Sequence, residues 1–243
     1  MIPSPNKNPP NRFLEKGAVS LWHLRFDENM PSLSTYLKVL SKDERVKADR
    51  FKFDLHRKRY IIGRGVLRML LGRYLDCPPQ SLDFKYTEYG KPYLEHGVDL
   101  NFNISHSGDR AVLAFTRDSE MGVDIEKCKS NFDHLEIAQN FFSPDEIRTL
   151  EALPEVERAA GFYRCWTRKE SFIKAKGSGL SFSLTSFSVS LDPEDATLLR
   201  TDWNPEEREQ WRLASFIPEK GYLGALSIKS ELRSLDHFHW SVN

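Results

Sequence analysis

Three carboxylates and one lysine stand in two short segments of the chain, and together they could hold a divalent metal ion on a pyrophosphate group. In the first segment, residues 121–126, apolar residues alternate with a glycine and two acids, Asp124 and Glu126, which is the pattern of a half-buried β-strand. On such a strand the two acids project from the same face, about 7 Å apart. Both carboxylates can then lean toward one cation. The second segment supplies Glu170 and Lys174.

A helix is predicted to position Glu170 and Lys174. Residues from about 157 to 176 have helix-forming composition, and Gly177 and Gly179 supply a stop. Glu170 and Lys174 are then neighbours on one helical face. Carboxylate ligands suit Mg²⁺, which commonly binds one or two carboxylates plus substrate phosphates. The alternatives are a solvated acidic strand face and an ordinary helix ion pair worth about 0.3–0.5 kcal/mol.

The amino-acid sequences of these two segments resemble a known signature. Gly122–Glu126 (GVDIE) followed by Trp166–Leu180 (WTRKESFIKAKGSGL) resembles the 4′-phosphopantetheinyl transferases, particularly their two-lobed Sfp-type branch. Further blocks resemble that family in its order: Tyr89–Pro92 (YGKP), Phe102–Gly108 (FNISHSG) and Phe141–Glu146 (FFSPDE). The resemblance runs from about residue 33 to residue 190.

The resemblance implies an α+β fold of two similar lobes related by a pseudo-twofold, with the active site at the lobe interface. The polar stretch 116–120 is the expected seam. We therefore expect an N-terminal lobe over residues 1–117, with a loose tail over about 1–15, and a C-terminal lobe over residues 118–243. The sequence itself shows no internal repeat, so this architecture depends on the resemblance alone.

A basic segment begins at Ser41, where we predict a long helix with Glu44 completing a capping box. Its many cations could form a solvated face, a nucleic-acid patch or a surface for the phosphates of coenzyme A. Overall neutrality and the lack of a recognisable nucleic-acid module argue against the second. Alignment with the family selects Lys47 and Arg59 as contacts for the pyrophosphate and the 3′-phosphate. Glu44 stands where the family pattern has another lysine, so Arg45 is an alternative contact.

The resemblance assigns four further contacts to coenzyme A. It implies that the turn around Lys91 borders the adenine, with the lysine near a phosphate. Ser105 and His106, expected just after a short strand over residues 100–104, would bond phosphate oxygens. A plain turn and a loop histidine that satisfies backbone groups are the alternatives. Lys174 would contact the α-phosphate.

In the family, a serine hydroxyl of an apo acyl or peptidyl carrier protein attacks the β-phosphate of coenzyme A, takes the phosphopantetheine arm and releases 3′,5′-ADP. For this chain we expect Asp124, Glu126 and Glu170 to hold Mg²⁺, or Mn²⁺ in its place. Glu170, or a water that it orients, would accept the serine proton, and Lys174 would neutralise charge on the leaving side. The alternative is a non-catalytic regulatory protein of the same fold that binds coenzyme A or a nucleotide.

Three other segments have simpler interpretations. Ser143–Glu146 has the composition of a helix N-cap, so we assign it no chemistry. Residues 177–190 alternate apolar and polar residues; the family places carrier-protein docking around here, and a core-facing strand is the alternative. His237 and His239 form a His-x-His pair without an evident third ligand, and we predict a structural role.

Composition sets outer limits on function. The chain has 243 residues, no net charge and 40% hydrophobic residues, which indicates a soluble globular protein that buries a core. No segment approaches the roughly 20 apolar residues that span a bilayer, and the start lacks a signal-peptide core. The three cysteines are widely separated, which is typical of reduced thiols. We expect a cytoplasmic monomer that binds neither membrane nor nucleic acid.

Overall fold

A computed structural model describes residues 14–95, 98–129, 133–177 and 182–242. These residues form an α+β fold, as predicted. The helices are α1 Phe26–Asn29, α2 Leu33–Val39, α3 Lys42–Asp49, α4 Asp54–Leu75, α5 His134–Phe141, α6 Pro144–Ala152 and α7 Glu155–Lys176. The strands are β1 Ala18–Arg25, β2 Phe84–Tyr86, β3 Pro92–Leu94, β4 Leu100–Ser107, β5 Arg110–Arg117, β6 Met121–Lys127, β7 Phe187–Val189, β8 Leu198–Thr201, β9 Arg212–Phe216, β10 Tyr222–Ile228 and β11 Ser234–His239. None of these helices is both long enough and apolar enough to cross a membrane.

The same order of elements occurs twice along the chain. A first strand (β1 or β6) is followed by helices, the last of which has 22 residues (α4 or α7). A two-stranded hairpin (β2–β3 or β7–β8) and an antiparallel pair (β4–β5 or β9–β10) complete each half. The sheets run β1-β5-β4 in one half and β6-β10-β9 in the other. This repeated topology supports two similar lobes, although the sequence shows no duplication.

The last strand does not follow the predicted division of the chain at residues 117 and 118. β11 pairs in parallel with β1, so the first sheet has the order β11-β1-β5-β4. Residues 234–239 therefore belong to the sheet of the N-terminal lobe, although their sequence position lies in the predicted C-terminal lobe. The physical reason is the free edge of β1, whose backbone N–H and C=O groups need a partner. The predicted tail lies outside the described residues except for Leu14 and Glu15.

The helix predictions are correct in place but wrong once in length. The expected helix at 33–40 is α2, and Ser41 begins α3 through the predicted capping box. The basic segment is not one helix, because one helix ends at Asp49 and the next begins at Asp54. The helix expected over 157–176 is α7, and Gly177 ends it with a φ of 71°. A positive φ suits glycine, which has no Cβ to clash with the preceding turn.

Three apolar clusters hold these elements together. One packs α2 and α4 on the first sheet, and another packs the C-terminal helices around β7 and β8. The third lies between the two sheets, where Val19 and Leu21 of β1 face the same cluster as Val123 and Ile125 of β6. Contact between the sheets brings β4 of one lobe alongside β6 of the other, and the candidate site lies at this junction.

A buried carboxylate explains the missing lysine in the N-terminal lobe. Glu44 is 1% exposed and accepts hydrogen bonds from Arg64 Nε at 2.5 Å and Arg68 Nε at 2.6 Å. It also accepts from the backbone N–H of Ser41, which completes the capping box. Glu44 therefore holds α3 on α4, and a lysine here would face two arginines. The alternative contact, Arg45, donates to the backbone carbonyl of Leu40.

The C-terminal lobe repeats this arrangement. Glu146 completes the predicted capping box with Ser143, and its two oxygens accept from Lys169 Nζ at 2.8 and 2.7 Å. The backbone N–H of Val189 donates to the same carboxylate. Both charged side chains are 1% exposed. Lys169, part of the signature segment, therefore supports the fold, and the structural interpretation of residues 143–146 is confirmed.

Candidate active site

Alternate side chains of β4 cover the free edge of β6. Each accepts a hydrogen bond from a backbone N–H group of β6, which pairs with β10 on its other edge. The three bonds are Val123 N–H to Asn103 Oδ1 (2.9 Å), Ile125 N–H to Ser105 Oγ (3.3 Å) and Lys127 N–H to Ser107 Oγ (3.1 Å). Side chains thus replace the backbone carbonyls that a neighbouring strand would offer. This contact fixes the register of one lobe against the other.

The two hydroxyl groups of this contact also hold the two acids of β6. Ser105 Oγ donates to Asp124 Oδ1 at 2.8 Å, and Ser107 Oγ donates to Glu126 Oε2 at 2.7 Å. From α7, Lys174 Nζ donates to Asp124 Oδ1 at 2.7 Å and to Ser105 Oγ at 2.9 Å. Asp124 is 3% exposed. A strand, a helix and the opposite lobe therefore converge on one carboxylate.

Close packing of α7 on β6 explains the glycine of the first signature segment. A Cβ atom at Gly122 would lie 2.1 Å from the carbonyl oxygen of Ser171 and 2.3 Å from the backbone nitrogen of Ala175. A side chain at this position would push the helix away from the strand. Gly122 therefore permits the approach that brings Lys174 within bonding distance of Asp124.

Glu170 lies next to the acids of β6. Burial raises its pKa, and the negative charges of Asp124 and Glu126 raise it further, while Lys174 lowers it. Burial and Asp124 likewise raise the pKa of Glu126, against the bond from Ser107. The three predicted acids thus share one electrostatic environment, in which a cation would be favoured.

The donor set of this site fits a divalent cation. Asp124 Oδ2 and Glu170 Oε1 are buried oxygen atoms without a hydrogen-bond partner, which is costly unless another group binds them. Carboxylate oxygens are the ligands that Mg²⁺ prefers. Within the described ranges, however, no three acidic, histidine or cysteine side chains form a ready-made metal group. The set is therefore incomplete by itself, as expected of an ion that also needs water and substrate phosphates.

Two clefts meet at Ile104, which is a lining residue of both. The larger has a volume of about 420 Å³ and is bordered by residues 89–92, Asn103, Glu170, Ile173, Lys174 and Gly177. The smaller has a volume of about 240 Å³, and its polar lining residues are His56, Arg59, Tyr60, Arg64 and His106. Cationic groups stand in both clefts, so an extended ligand with several phosphates could lie across them.

Three of the predicted coenzyme A residues lie at or near the smaller cleft. His106 is on β4, not in a loop, and its pKa is lowered by burial and by the charges of Lys174 and Arg59. Arg59 lines the cleft and forms an ion pair with Asp109. Lys47 is exposed, and its ammonium group lies 5.6 Å from the ring centre of Tyr60.

Ser105 and Lys91 have protein partners instead. Ser105 is 5% exposed and bonds Asp124, Lys174 and the backbone of Ile125, so its hydroxyl group is fully used. The predicted turn at residues 89–92 is present, with Gly90 at a φ of 79°. Lys91 Nζ donates to backbone carbonyls of Met121, Lys174 and Ala175. Neither side chain is free to bond a phosphate as it stands.

Sequence reasoning missed the neighbour of the His-x-His pair. His23 of β1 is 6% exposed, and its Nε2 lies 2.8 Å from His237 Nδ1, a distance at which one ring nitrogen donates to the other. The ring of His239 lies 5.2 Å away from that of His23. The pairing of β1 with β11 brings the three rings together, a juxtaposition that no local pattern could reveal. The three histidines do not form a metal site, because no group of three or more possible metal ligands occurs in the described parts of the chain.

A cavity of about 800 Å³ lies in the N-terminal lobe and is lined by none of the predicted site residues. Met69 and Arg73 line it and occupy the positions in α4 that Glu170 and Lys174 hold in α7. Trp22 lines it from β1, the counterpart of β6. This cavity corresponds to the candidate site in the repeated topology but lacks its acid pair. We therefore place the chemistry at the two clefts that meet at Ile104.

The strand that follows α7 faces the core. Leu184, Phe187 and Val189 are at most 9% exposed and belong to the apolar cluster of the C-terminal lobe. Leu180, part of the same alternating pattern, lies outside the described residues. The core-facing alternative therefore applies to Leu184, Phe187 and Val189, whereas Thr185 between them is exposed. Only Phe187–Val189 forms a strand, and Leu184–Ser186 is a 3₁₀ turn.

Comparisons with known proteins agree with the predicted family. The family described as the 4′-phosphopantetheinyl transferase superfamily matches residues 120–227, and the one described as 4′-phosphopantetheinyl transferase, N-terminal, matches residues 26–118. The 4′-phosphopantetheinyl transferase HetI of Nostoc sp. is 34% identical over 225 residues, which cover 90% of this chain and 91% of HetI. The 4′-phosphopantetheinyl transferase Sfp of Bacillus subtilis is 36% identical over 190 residues, which cover 77% of this chain and 81% of Sfp.

Proposed function

This chain belongs to the 4′-phosphopantetheinyl transferase superfamily, and from that membership we propose that it transfers the phosphopantetheine arm of coenzyme A to a serine of an apo carrier protein, releasing 3′,5′-ADP. The predicted family and its enzymatic activity are confirmed. One observation carries the assignment to this site. Lys174, Asp124 and Ser105 bond one another across the lobe interface, beside two buried carboxylate oxygens that have no partner.

Asp124, Glu126 and Glu170 would hold a Mg²⁺ ion, or Mn²⁺ in its place. The unpartnered oxygens of Asp124 and Glu170, and the raised pKa values of Glu126 and Glu170, support this assignment. When bound, the ion would offset the negative charge of the pyrophosphate oxygens and the further negative charge that develops in the transition state.

Glu170 would take the proton from the attacking serine hydroxyl. Without a cation its pKa is raised by burial and by the neighbouring acids, and a bound cation would lower it again. Glu170 would therefore accept the proton directly or through a water that it orients. Lys174 would neutralise the α-phosphate and can supply a proton to the leaving group. Since no covalent intermediate is required, the chief contributions of the protein are positioning and electrostatic stabilisation.

Coenzyme A would lie across the two clefts that meet at Ile104. Lys174 and Glu170 line the larger cleft, so the pyrophosphate would lie beside them. The smaller cleft carries Arg59 and His106, which suit the 3′-phosphate and an adjoining phosphate oxygen. Lys47 would act as an outer, exposed contact to these anionic groups.

Acyl and peptidyl carrier proteins are the proposed partners, because they present the acceptor serine. We propose that the protein is cytoplasmic and monomeric. The monomer is supported because a single chain supplies both lobes and every residue assigned to the site. A non-catalytic regulatory protein is disfavoured, because all three acids and Lys174 are present and Lys174 and Asp124 are in direct contact.

A loading assay tests the proposal. The chain is incubated with coenzyme A, Mg²⁺ and a panel of apo acyl and peptidyl carrier proteins, and the carriers are weighed by mass spectrometry. At least one carrier should gain one phosphopantetheine group per acceptor serine. Asp124→Asn should abolish this gain while the circular dichroism spectrum is retained, and chelation of divalent ions should stop it. Binding of coenzyme A without modification of any carrier would favour the regulatory alternative instead.

A further inference from the structure

The Lys91 side chain crosses the lobe interface, and its ammonium group lies at the last turn of α7. Its Nζ donates to the carbonyl oxygen of Lys174 at 2.6 Å, to that of Met121 at 3.3 Å and to that of Ala175 at 3.4 Å. Lys91 belongs to the turn of the β2–β3 hairpin in the N-terminal lobe, whereas all three carbonyls belong to the C-terminal lobe. One side chain thus joins the hairpin, β6 and α7.

The last turn of a helix is a suitable place for such a cation. The last four carbonyls of a helix have no partner within it, and the partial negative charge at its C-terminus attracts cations. α7 ends at Lys176, and the backbone N–H of Gly177 satisfies only the carbonyl of Ile173. Of the other carbonyls in the last turn, Lys91 binds those of Lys174 and Ala175.

The shortest of these bonds holds a residue of the proposed chemistry. Lys174 is held at both ends: its carbonyl accepts from Lys91 at 2.6 Å, and its ammonium group donates to Asp124 at 2.7 Å. Burial lowers the pKa of Lys91 to about 8, and the charge of Glu120 opposes this shift, so Lys91 is still mostly charged at neutral pH. All of its donors can then point at carbonyl oxygens.

We propose that Lys91 is a positioning residue, which clamps the end of α7 to the N-terminal lobe and thereby places Lys174 for the transfer reaction. This inference rests on the proposed function and differs from a phosphate contact, because the ammonium group is already used by backbone carbonyls. It also assigns the YGKP turn a second task, since the same turn borders the larger cleft.

The test compares Lys91→Met with Lys85→Met. Methionine keeps the apolar stem and removes the donors, whereas Lys85 lies on the same hairpin, is exposed and forms an ion pair with the nearby Asp83. For Lys91→Met we expect kcat to fall about 10-fold or more. The Kd of 3′,5′-ADP, measured by calorimetry, should stay within about 3-fold, and amide hydrogen exchange over residues 170–177 should become about 10-fold faster. Lys85→Met should behave like the unchanged protein in all three measurements.

Three outcomes would overturn the inference. A rise of 10-fold or more in the Kd of 3′,5′-ADP with unchanged exchange would make Lys91 a phosphate ligand. Unchanged kcat and exchange would remove any role for it. If Lys91→Met fails to fold, Lys91→Arg keeps a donor at this position, and a complete loss of turnover with normal exchange in that variant would also contradict a clamp. The exchange measurement does not depend on transfer. Failure of the proposed function would be recognised separately, because the chain without any substitution would then modify no carrier.

Discussion

Replacement of Ser105 by alanine should reveal whether this hydroxyl group positions protein groups or binds substrate. In the structure it accepts from the backbone N–H of Ile125, accepts from Lys174 and donates to Asp124. Ser105→Ala removes all three bonds at once and leaves the Asp124–Lys174 contact of 2.7 Å in place. The substitution therefore weakens the lobe contact and removes one of the two hydrogen bonds that Asp124 Oδ1 accepts.

The expected size of the effect follows from these partners. The buried N–H group of Ile125 is left without an acceptor, which costs about 1–3 kcal/mol. Because Asp124 and Lys174 remain bonded to each other, we expect a net loss of about 2–3 kcal/mol in the free energy of unfolding. In a protein of this size that loss lowers Tm by about 5–10 °C. Turnover should fall about 10- to 100-fold, as is typical when a carboxylate that binds a metal loses its supporting hydrogen bond.

Thermal unfolding and steady-state kinetics test this prediction together. Ser81→Ala is the matched control, because Ser81 is exposed and its hydroxyl group bonds the local carbonyl of Pro78; the effect should stay within about 0.5 kcal/mol. The reasoning is refuted if Ser105→Ala keeps both Tm and turnover. If the variant keeps a normal Tm but its KM for coenzyme A rises 10-fold or more, the result would instead support the phosphate contact predicted from the family resemblance.

Three further predictions concern one residue each. Lys174→Met should lower kcat about 100- to 1,000-fold with a smaller effect on coenzyme A affinity, and a change in affinity alone would contradict its transition-state role. Glu146→Gln should lower the free energy of unfolding in urea by about 3–5 kcal/mol, because it leaves the 1%-exposed Lys169 without its counter-charge. Asp145→Asn, which breaks an exposed pair, should cost less than about 1 kcal/mol; similar losses in both variants would refute the argument. Burial and the neighbouring histidines lower the pKa of His23 to about 3, so the unfolded chain, with its ordinary value near 6.5, binds the proton first as the pH falls. The free energy of unfolding should therefore fall by about 1.4 kcal/mol per pH unit below about pH 6 on account of His23, and His23→Phe should reduce this slope in urea titrations between about pH 7 and 5.

Local patterns predicted the elements that carry the acids and the lysine. The alternation at 121–126 gave β6, and the glycine stop at 177 gave the end of α7, because both depend on backbone geometry within a few residues. The capping boxes at Ser41 and Ser143 were predictable for the same reason. The break after Asp49 was not, since a run of good helix formers gives no sign of where tertiary packing divides it.

The side-chain partners were beyond the reach of these patterns. Lys91 has the sequence context of a turn lysine near a ligand, yet its ammonium group bonds the end of a helix 83 residues further along the chain. Ser105 was predicted to face a phosphate, but the edge of β6 uses its hydroxyl group. In both cases a backbone group that lacks a partner in its own element takes a polar side chain from the other lobe.

The sequence alone identified the family by its resemblance, and the resemblance implied the fold class. Spacing along a strand or a helix grouped the predicted metal acids and the lysine, because it decides which side chains share a face. The tertiary structure decided everything that depends on the two lobes meeting. It placed β4 on the edge of β6, brought β11 back to β1 and brought His23 to the histidine pair. The physical reason is that unpaired strand edges and helix ends must find hydrogen-bond partners, and those partners are set by packing between distant segments.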